Sequence, residues 1–162
     1  MEPVIRMATK ADIPGMVKLR RELLEYVRKA PLSDADIAAI QHFYTTVWNG
    51  TSPAYFVCPI GKAIVGQAAV SVFPALPSSK NPSGLCGYVY DVSVMSSERR
   101  KGIARALITA LLWFCKDHRI GYLALDATDM GEPLYRSLGF KEPETVFLEL
   151  WKDGLDTLDV DG

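Results

Sequence analysis

Cysteine and histidine are scarce in this sequence, which has three cysteines and two histidines in 162 residues. The cysteines, Cys58, Cys86 and Cys115, are odd in number and widely spaced, so the sequence predicts neither a disulfide framework nor a zinc site. We therefore expect three buried thiols in a reducing compartment, and no bound metal. The histidines, His42 and His118, are too far apart in the sequence to suggest a catalytic dyad.

An excess of charge of one sign and long apolar runs are also lacking. The formal net charge is −1 and charged residues make up 23% of the chain, so no overall field favours nucleic acid or an anionic membrane. No apolar run is long enough to span a bilayer, and the N-terminus lacks the pattern of a signal peptide. We therefore expect a cytoplasmic protein whose partners include neither nucleic acid nor a membrane.

The length and the order of the predicted elements indicate one domain. We expect this domain at 1–152, followed by an acidic, flexible C-terminal tail at 153–162. Hydrophobic periodicity and turn residues predict helices at 9–30, 33–49, 103–118 and 130–138, and strands at 3–7, 54–58, 64–73, 85–94, 122–125 and 146–150.

The segment 92–105 combines a strand end, a basic turn with a glycine, and the start of a long helix. The first N–H groups of a helix have no intrahelical acceptor, and the helix dipole places partial positive charge there. Gly102 leaves no side chain between the backbone and a bound group, and the basic side chains add full charges. The pattern therefore predicts a diphosphate site. The residues assigned to it are Arg99, Arg100, Lys101, Gly102, Ile103, Ala104 and Arg105.

The same turn carries a resemblance to a known family. Residues 99–104, with the spacing Arg-x-x-Gly-x-Ala, resemble the pyrophosphate turn of the GNAT acetyltransferases, which bind acetyl-coenzyme A (acetyl-CoA). Residues 134–140, with the spacing Leu-Tyr-x-x-x-Gly-Phe, are similar to a second signature of that family. One predicted helix and one predicted strand separate the two motifs, in the order that the family has. The resemblance covers roughly residues 85–150.

The resemblance implies a GNAT-like α/β fold of mixed α+β character. Its central sheet would be mixed and mostly antiparallel, with about six to seven strands and about four flanking helices. The sheet would be splayed between strands 85–94 and 122–125, because the pantetheine arm of the donor takes backbone groups that a neighbouring strand would otherwise satisfy. The alternative is that these two strands pair in the ordinary way.

The resemblance implies acetyl-CoA as the donor and assigns further contacts to it. Val92 and Val94 match the strand positions whose backbone groups pair with the pantetheine arm. Thr128 stands where many members have an asparagine that touches the pantetheine. Capping of the helix at 130–138 is an alternative role for Thr128, and Asp129 competes with it for that role.

Tyr135 aligns with the usual general acid of the family. A phenol with a pKa of about 10 can protonate a departing thiolate whose thiol has a pKa of roughly 8.5. A core tyrosine is the alternative. On the strand before the turn, alternation predicts Tyr88, Tyr90 and Val92 on one face and Asp91 on the other. Asp91 takes the second position of an acidic pair that many members carry, and is predicted as a base, a substrate ligand or a structural carboxylate with a partner.

The resemblance implies direct transfer of acetyl to a primary amine of a small molecule or peptide, which fits a chain without an evident nucleophile–base pair. The predicted acceptor walls are the segment 26–39 beginning at Tyr26, the loop 74–84, and the face of Tyr88 and Tyr90. The tyrosines favour an aromatic or amino-acid-like amine. The alternatives are a non-catalytic acyl-CoA sensor or interaction module, and a nucleotide-phosphate protein, which the missing Walker spacing disfavours. A homodimer is left open.

Overall fold

The computed structural model describes residues 2–156. The chain divides into two compact units, Met1–Thr128 and Asp129–Gly162. Of the acidic tail predicted at 153–162, residues 157–162 lie outside the described part, and the residues before them belong to a short helix. Among the helices of residues 2–156, none combines the length and the hydropathy that a membrane crossing requires.

The first unit is built on one sheet. Its strands are β1 (Arg6–Met7), β2 (Ala54–Ile60), β3 (Ala63–Pro74), β4 (Leu85–Val94) and β5 (Tyr122–Leu125). They lie in the order β1-β2-β3-β4-β5, and all neighbours are antiparallel except β4 and β5, which are parallel. The predicted mixed, mostly antiparallel sheet is confirmed, with five strands instead of the larger number expected.

The segment 146–150, predicted as the last strand, is not a strand. Its β-branched and aromatic residues are typical of strands, but a strand forms only against a partner backbone, and no described strand pairs with this segment. The side chains of Val146, Phe147 and Leu148 are 84%, 75% and 83% exposed. The strand count is therefore smaller than the sequence pattern indicated.

The helices of the first unit begin close to where capping residues predict them. They are α1 (Ile13–Arg28), α2 (Asp34–His42) and α3 (Ile103–Asp117). Thr9 and Asp12 form a capping box at a 3₁₀ turn that leads into α1, and Ser33 and Asp36 form another at the start of α2. The helix predicted at 33–49 continues past α2 as a π-helical turn, Phe43–Val47.

The helices α1 and α3 lie on opposite faces of the sheet. On β3, Gln67 donates to the Met16 carbonyl of α1 at 3.3 Å, whereas a Cβ on neighbouring Gly66 would lie 2.8 Å from Ile103 of α3. Neighbouring residues of a strand point to opposite faces, so each helix covers one face. The α1 face holds the buried residues Met16, Leu19, Tyr44, Trp48 and Tyr55, and α3 contributes the buried residues Leu107, Ile108 and Leu111.

The cysteines lie inside the first unit. Cys58, Cys86 and Cys115 are all buried, as the sequence predicted, and are free thiols. Burial raises the pKa of the Cys58 thiol and raises that of Cys115 to about 11. Because a thiol reacts as its thiolate, these two side chains are held in the unreactive form near neutral pH.

β4 contains a β-bulge at Asp91. The register pairs Gln67 with Ser93 and Ala69 with Tyr90, so one residue of β3 lies opposite two residues of β4. Asp91 has a φ of 58°, in the left-handed region. An extra residue in one strand defines a bulge, and aspartate tolerates the left-handed conformation because its short side chain can hydrogen-bond locally.

The bulge changes the face on which Asp91 lies. Tyr90 and Asp91 both contact Tyr55 on the α1 face. Beyond the bulge, the register places Ser93 on that face and Val92 on the other. The prediction that Asp91 faces away from Tyr90, and that Val92 shares the face of Tyr90, is therefore wrong, because strict alternation ends at the extra residue.

β5 accompanies only the first half of β4. Its residues pair with residues 86–89, and it ends at Leu125. Residues 90–94 of β4 have no described strand beside them on that edge. The predicted splay has this form: the strands pair at one end of β4, and at the other end no described strand lies beside that edge. We call residues 90–94 the open stretch of β4.

The second unit contains the helices α4 (Glu132–Ser137) and α5 (Lys152–Asp156). α4 begins after Gly131, so neither Thr128 nor Asp129 occupies its N-cap position. The chain leaves α4 through Gly139, whose φ of 99° is left-handed, as expected for a glycine after a helix.

Candidate active site

The turn between β4 and α3 has the geometry of an anion site. α3 begins after its N-cap Gly102, whose φ is 80°, and Arg100 is also left-handed with a φ of 62°. The N–H of Ala106 bonds to the Gly102 carbonyl at 3.0 Å, so the N–H groups before it have no acceptor within the helix. A Cβ on Gly102 would meet nothing within 4 Å. The space before the helix is therefore open, and the turn fits a diphosphate.

Basic side chains of this anion turn are anchored locally. Arg99 Nε donates to the Val94 carbonyl at 3.1 Å, and Lys101 Nζ pairs with Glu98 at 2.9 Å. The Arg99 guanidinium lies 6.0 Å from the centroid of the Tyr26 ring. Tyr26, predicted as an acceptor wall, thus lies beside the anion turn.

The open stretch of β4 carries an unsatisfied buried group. Among the described residues, the buried side-chain atoms without a hydrogen-bond partner are Gln67 Oε1 and Ser93 Oγ. These residues lie opposite each other in the register of β3 and β4. Buried polar atoms normally have a partner, so the Ser93 hydroxyl has hydrogen-bonding capacity to spare.

Asp91 is surrounded by hydrogen-bond donors on the α1 face and is 4% exposed. The hydroxyl groups of Tyr44 and Tyr55 donate hydrogen bonds to Asp91 Oδ2, at 2.6 Å and 3.0 Å. Arg20 Nη1 lies 3.5 Å from Oδ1. Burial and the charge of Asp91 raise the pKa of both phenols, which therefore stay protonated and donate near neutral pH. The partners that a buried carboxylate requires are therefore present.

The two tyrosines predicted to face the acceptor lie together. The rings of Tyr88 and Tyr90 stack with centroids 6.3 Å apart and planes 27° apart. The Tyr90 hydroxyl lies 3.1 Å from Ser71 Oγ, and burial raises the pKa of Tyr90. The Tyr88 hydroxyl donates to the carboxylate of Asp126, just past the end of β5. The structure thus adds Asp126 to the predicted set.

Tyr135 is a buried residue of α4. Its ring meets the edge of Phe140 at a centroid distance of 6.0 Å, and the Phe140 N–H donates to the Tyr135 carbonyl at 3.1 Å. The motif at 134–140 is therefore one local structure, closed by the turn at Gly139. Burial raises the pKa of the Tyr135 phenol, so this side chain keeps its proton in neutral solution.

Sequence reasoning missed part of this site. The bulge that turns Asp91 toward the α1 face leaves no trace in the hydrophobic pattern. Asp126 had a usable signal, because a carboxylate directly after a strand at the predicted splay stands where the two strands part. That signal becomes specific only when the register of β4 and β5 is known. The missed residues are Arg20, Tyr44, Tyr55 and Asp126.

The anion turn and the 134–140 motif both lie in a part of the chain that matches a known family. The sequence profile of the acetyltransferase (GNAT) family matches residues 16–140. The chain belongs to the GNAT family of acetyltransferases. The match covers most of the 162 residues, so the resemblance seen in the motifs is confirmed.

Curated relatives of this GNAT chain match it over part of their length. N-acetyltransferase 8B of Homo sapiens is 33% identical over 66 residues, which are 39% of this chain and 29% of that protein. N-acetyltransferase 8F1 of Rattus norvegicus is 30% identical over 90 residues, which are 53% of this chain and 41% of that protein. The matched region is thus less than half of either relative.

Solved structures share the GNAT fold along nearly the whole chain. A predicted acetyltransferase with acetyl-CoA from Clostridium acetobutylicum has a TM-score of 0.79 at 23% identity, covering 92% of this chain and 96% of that one. A GCN5-related N-acetyltransferase from Ralstonia eutropha JMP134 has a TM-score of 0.73 at 23% identity, covering 92% and 99%. The likeness establishes the fold of this GNAT chain.

Proposed function

We propose that this GNAT protein transfers the acetyl group of acetyl-CoA directly to a primary amine of a small molecule or peptide. The anion turn is the observation that carries the proposal. The open, left-handed Gly102 starts a helix of 15 residues shortly after the open stretch of β4. A diphosphate at the helix start and an extended arm along the strand edge are what an acyl-CoA presents to such a surface.

Residues of the first unit would hold the donor. The first-turn N–H groups of α3 bind the diphosphate, with Arg99 and Lys101 adding positive charge. The backbone of Val92 and Val94 pairs with the pantetheine arm, and the Thr128 hydroxyl supplies one hydrogen bond. Bound acetyl-CoA supplies an acetyl group activated as a thioester, so the protein needs no nucleophile of its own.

The departing sulfur needs a proton, and we assign its supply to Tyr135. Burial raises the pKa of this phenol above its ordinary value, so the group is protonated throughout the neutral range. A phenol that donates a hydrogen bond to the sulfur stabilises negative charge as it develops, and the proton follows as the carbon–sulfur bond breaks. The family signature at 134–140 supports this role.

For Asp91 we propose a positioning role. Its Oδ2 accepts from two phenols and its Oδ1 lies near Arg20, so a proton from the substrate would have to displace existing contacts. Those contacts hold the bulge at the start of the open stretch, where the backbone meets the donor. Asp91 as the base, directly or through a water chain, is the competing hypothesis.

A panel of amines tests the proposed function. Purified protein is incubated with acetyl-CoA and arylalkylamines, amino acids, peptides with an unblocked N-terminus, or aminoglycosides, while mass spectrometry detects acetylation and a thiol reagent detects released coenzyme A. We expect one or more amines to gain one acetyl group for each thiol released. The corresponding alcohols serve as controls and should remain unmodified.

Calorimetry on the same protein separates the competing function. Tight binding of acetyl-CoA without transfer to any amine would indicate a non-catalytic acyl-CoA sensor. Absence of both binding and transfer would remove the anion turn as the observation on which the proposal rests.

A further inference from the structure

Asp126 lies where β4 and β5 part. The parallel register ends with Val89 beside Leu125, and Asp126 is the next residue of the chain. Its carboxylate accepts a hydrogen bond from the Tyr88 hydroxyl, which orients it. The carboxylate is therefore fixed at the fork of the sheet, beside the stacked rings of Tyr88 and Tyr90.

The surroundings of Asp126 differ from those of the ion-paired aspartates. Asp12 and Asp36 each pair with an arginine, at 2.7 Å and 2.9 Å. Asp126 is exposed, and the described residues offer it the neutral phenol of Tyr88 but no ion pair. A carboxylate oriented by a neutral donor keeps its charge available, and the strongest hydrogen bonds to it come from a cation.

An aromatic wall borders this carboxylate. Tyr88 is 36% exposed, so part of its ring faces solvent next to Asp126, and Tyr90 extends the wall along β4. The face of an aromatic ring attracts cations, and its apolar surface accepts flat groups. An ammonium ion attached to an aromatic or other apolar group matches both features.

We infer that Asp126 binds the acceptor as a primary ammonium ion and takes a proton from its nitrogen during transfer, an inference that rests on the proposed acetyl transfer. Asp126 would thus be a catalytic residue that also selects cationic substrates. Asp91 is less suited to this role, since it is 4% exposed and faces donors at both oxygens.

The proton count of the reaction agrees with this assignment. The nitrogen–carbon bond of the amide forms while the carbon–sulfur bond of the thioester breaks. An ammonium nitrogen sheds two protons on becoming a secondary amide. One proton balances the proton gained by the departing sulfur, and the other must reach water. An exposed carboxylate beside the nitrogen can accept that second proton and release it.

A charge-matched pair of probes tests the binding site. Benzylamine and benzyl alcohol are titrated by calorimetry into the full chain at neutral pH, with coenzyme A present so that no acetyl group can move. We expect the ammonium ion to bind about tenfold more tightly than the alcohol, because hydrogen bonds to charged groups are the stronger ones. Asp126→Asn should remove this preference while leaving acetyl-CoA affinity unchanged.

Asp117→Asn is the matched control, since Asp117 is an exposed aspartate at the end of α3 and the substitution makes the same chemical change. It should retain the preference. A preference that persists in Asp126→Asn, or is absent from the wild-type protein, would overturn the inference. If Asp126→Asn proves unstable in a thermal melt, Tyr88→Phe serves instead, because it keeps the ring, removes the bond that orients the carboxylate and should reduce the preference.

Kinetics separate this inference from the proposed function. With an amine that the wild-type protein acetylates, Asp126→Asn should lower kcat/KM by about 100-fold, and an unchanged kcat/KM would overturn the inference. If the wild-type protein acetylates no amine but Asp126→Asn abolishes the ammonium preference, the inferred ammonium site is supported and the proposed acetyl transfer is contradicted.

Discussion

Asp91 and Asp126 are carboxylates of the same unit in opposite surroundings. Asp91 is 4% exposed and accepts from Tyr44 and Tyr55, whereas Asp126 is exposed and accepts from Tyr88. Removing a buried acceptor leaves its donors unpaired, whereas an exposed carboxylate can become an amide at little cost to the fold. Substitutions of Asp91 should therefore reduce stability, and those of Asp126 should reduce function alone.

Asp91→Asn should lower both stability and activity. The amide is a weaker acceptor for the two phenols and carries no charge for Arg20, so we expect a loss of about 1–3 kcal/mol in the free energy of unfolding. In the positioning role proposed for Asp91, the loss of activity should be similar at every pH in a pH–rate profile. A loss confined to neutral pH and repaired at higher pH would instead identify Asp91 as the base.

Tyr135→Phe keeps the ring and its contact with Phe140 but removes the acidic proton. We expect the acetyl-transfer rate to fall by about 100-fold, because a positioned acid contributes on that order, with little change in acetyl-CoA affinity. Tyr122→Phe makes the same change at a tyrosine that is 53% exposed, and it should leave the rate unchanged. Full activity in Tyr135→Phe would show that Tyr135 is a core residue and does not act as the acid.

The phenols of Tyr44 and Tyr55 predict a loss of stability in alkali. Their pKa is raised in the folded protein, first by burial and then by Asp91, above the unfolded value of about 10. Their contribution is therefore complete below that pH and is lost as pH rises toward the folded pKa. Urea unfolding above pH 10 should show a steeper decline for wild type than for Tyr44→Phe; parallel declines would contradict this origin.

The anion turn allows a matched test at the scale of one element. Gly102→Asp places a negative charge before α3, and aspartate is one of the residues that adopt a left-handed φ. Gly61, in the turn between β2 and β3, is also left-handed, and a Cβ there likewise meets nothing within 4 Å. Calorimetry should show acetyl-CoA affinity reduced at least tenfold in Gly102→Asp and unchanged in Gly61→Asp. Equal affinities would exclude the turn as the diphosphate site.

The elements near the site show how far the sequence could predict them. Strands β4 and β5 have the bounds that alternation and turn residues predicted, because each is a mostly apolar run with clear ends. The bulge at Asp91 was not predicted, since one inserted residue hardly changes the composition or the hydrophobicity of a strand. The prediction of a strand at 146–150 failed for the opposite reason. Its residues favour a strand, but no described strand pairs with the segment.

The candidate site divides in the same way. Residues proposed from a local motif, such as Gly102 and Tyr135, could be located from spacing alone. Residues proposed from tertiary contacts could not, because Arg20 and Asp126 reach their partners only through the packing of α1 and the register of β4 with β5. Side chains that only the fold brings together have no characteristic spacing in the sequence.

At the scale of the whole molecule, the sequence predicts one domain at 1–152. A domain of fewer than roughly 40 residues usually needs a disulfide or a metal to fold alone. The second compact unit, Asp129–Gly162, is shorter than that. We therefore expect the whole chain to unfold in one transition, with equal calorimetric and van't Hoff enthalpies in scanning calorimetry. Two resolved transitions would show that the units fold independently.

The burial of the native thiols has a practical consequence for enzymology. Acetyl transfer releases coenzyme A, itself a thiol, and disulfide reagents that report this product also react with accessible protein thiols. Because Cys58, Cys86 and Cys115 are all buried, folded enzyme should add little background to such a colorimetric assay. The same reagent would then register damaged preparations as a slow, substrate-independent signal, so one cuvette reports both turnover and sample integrity.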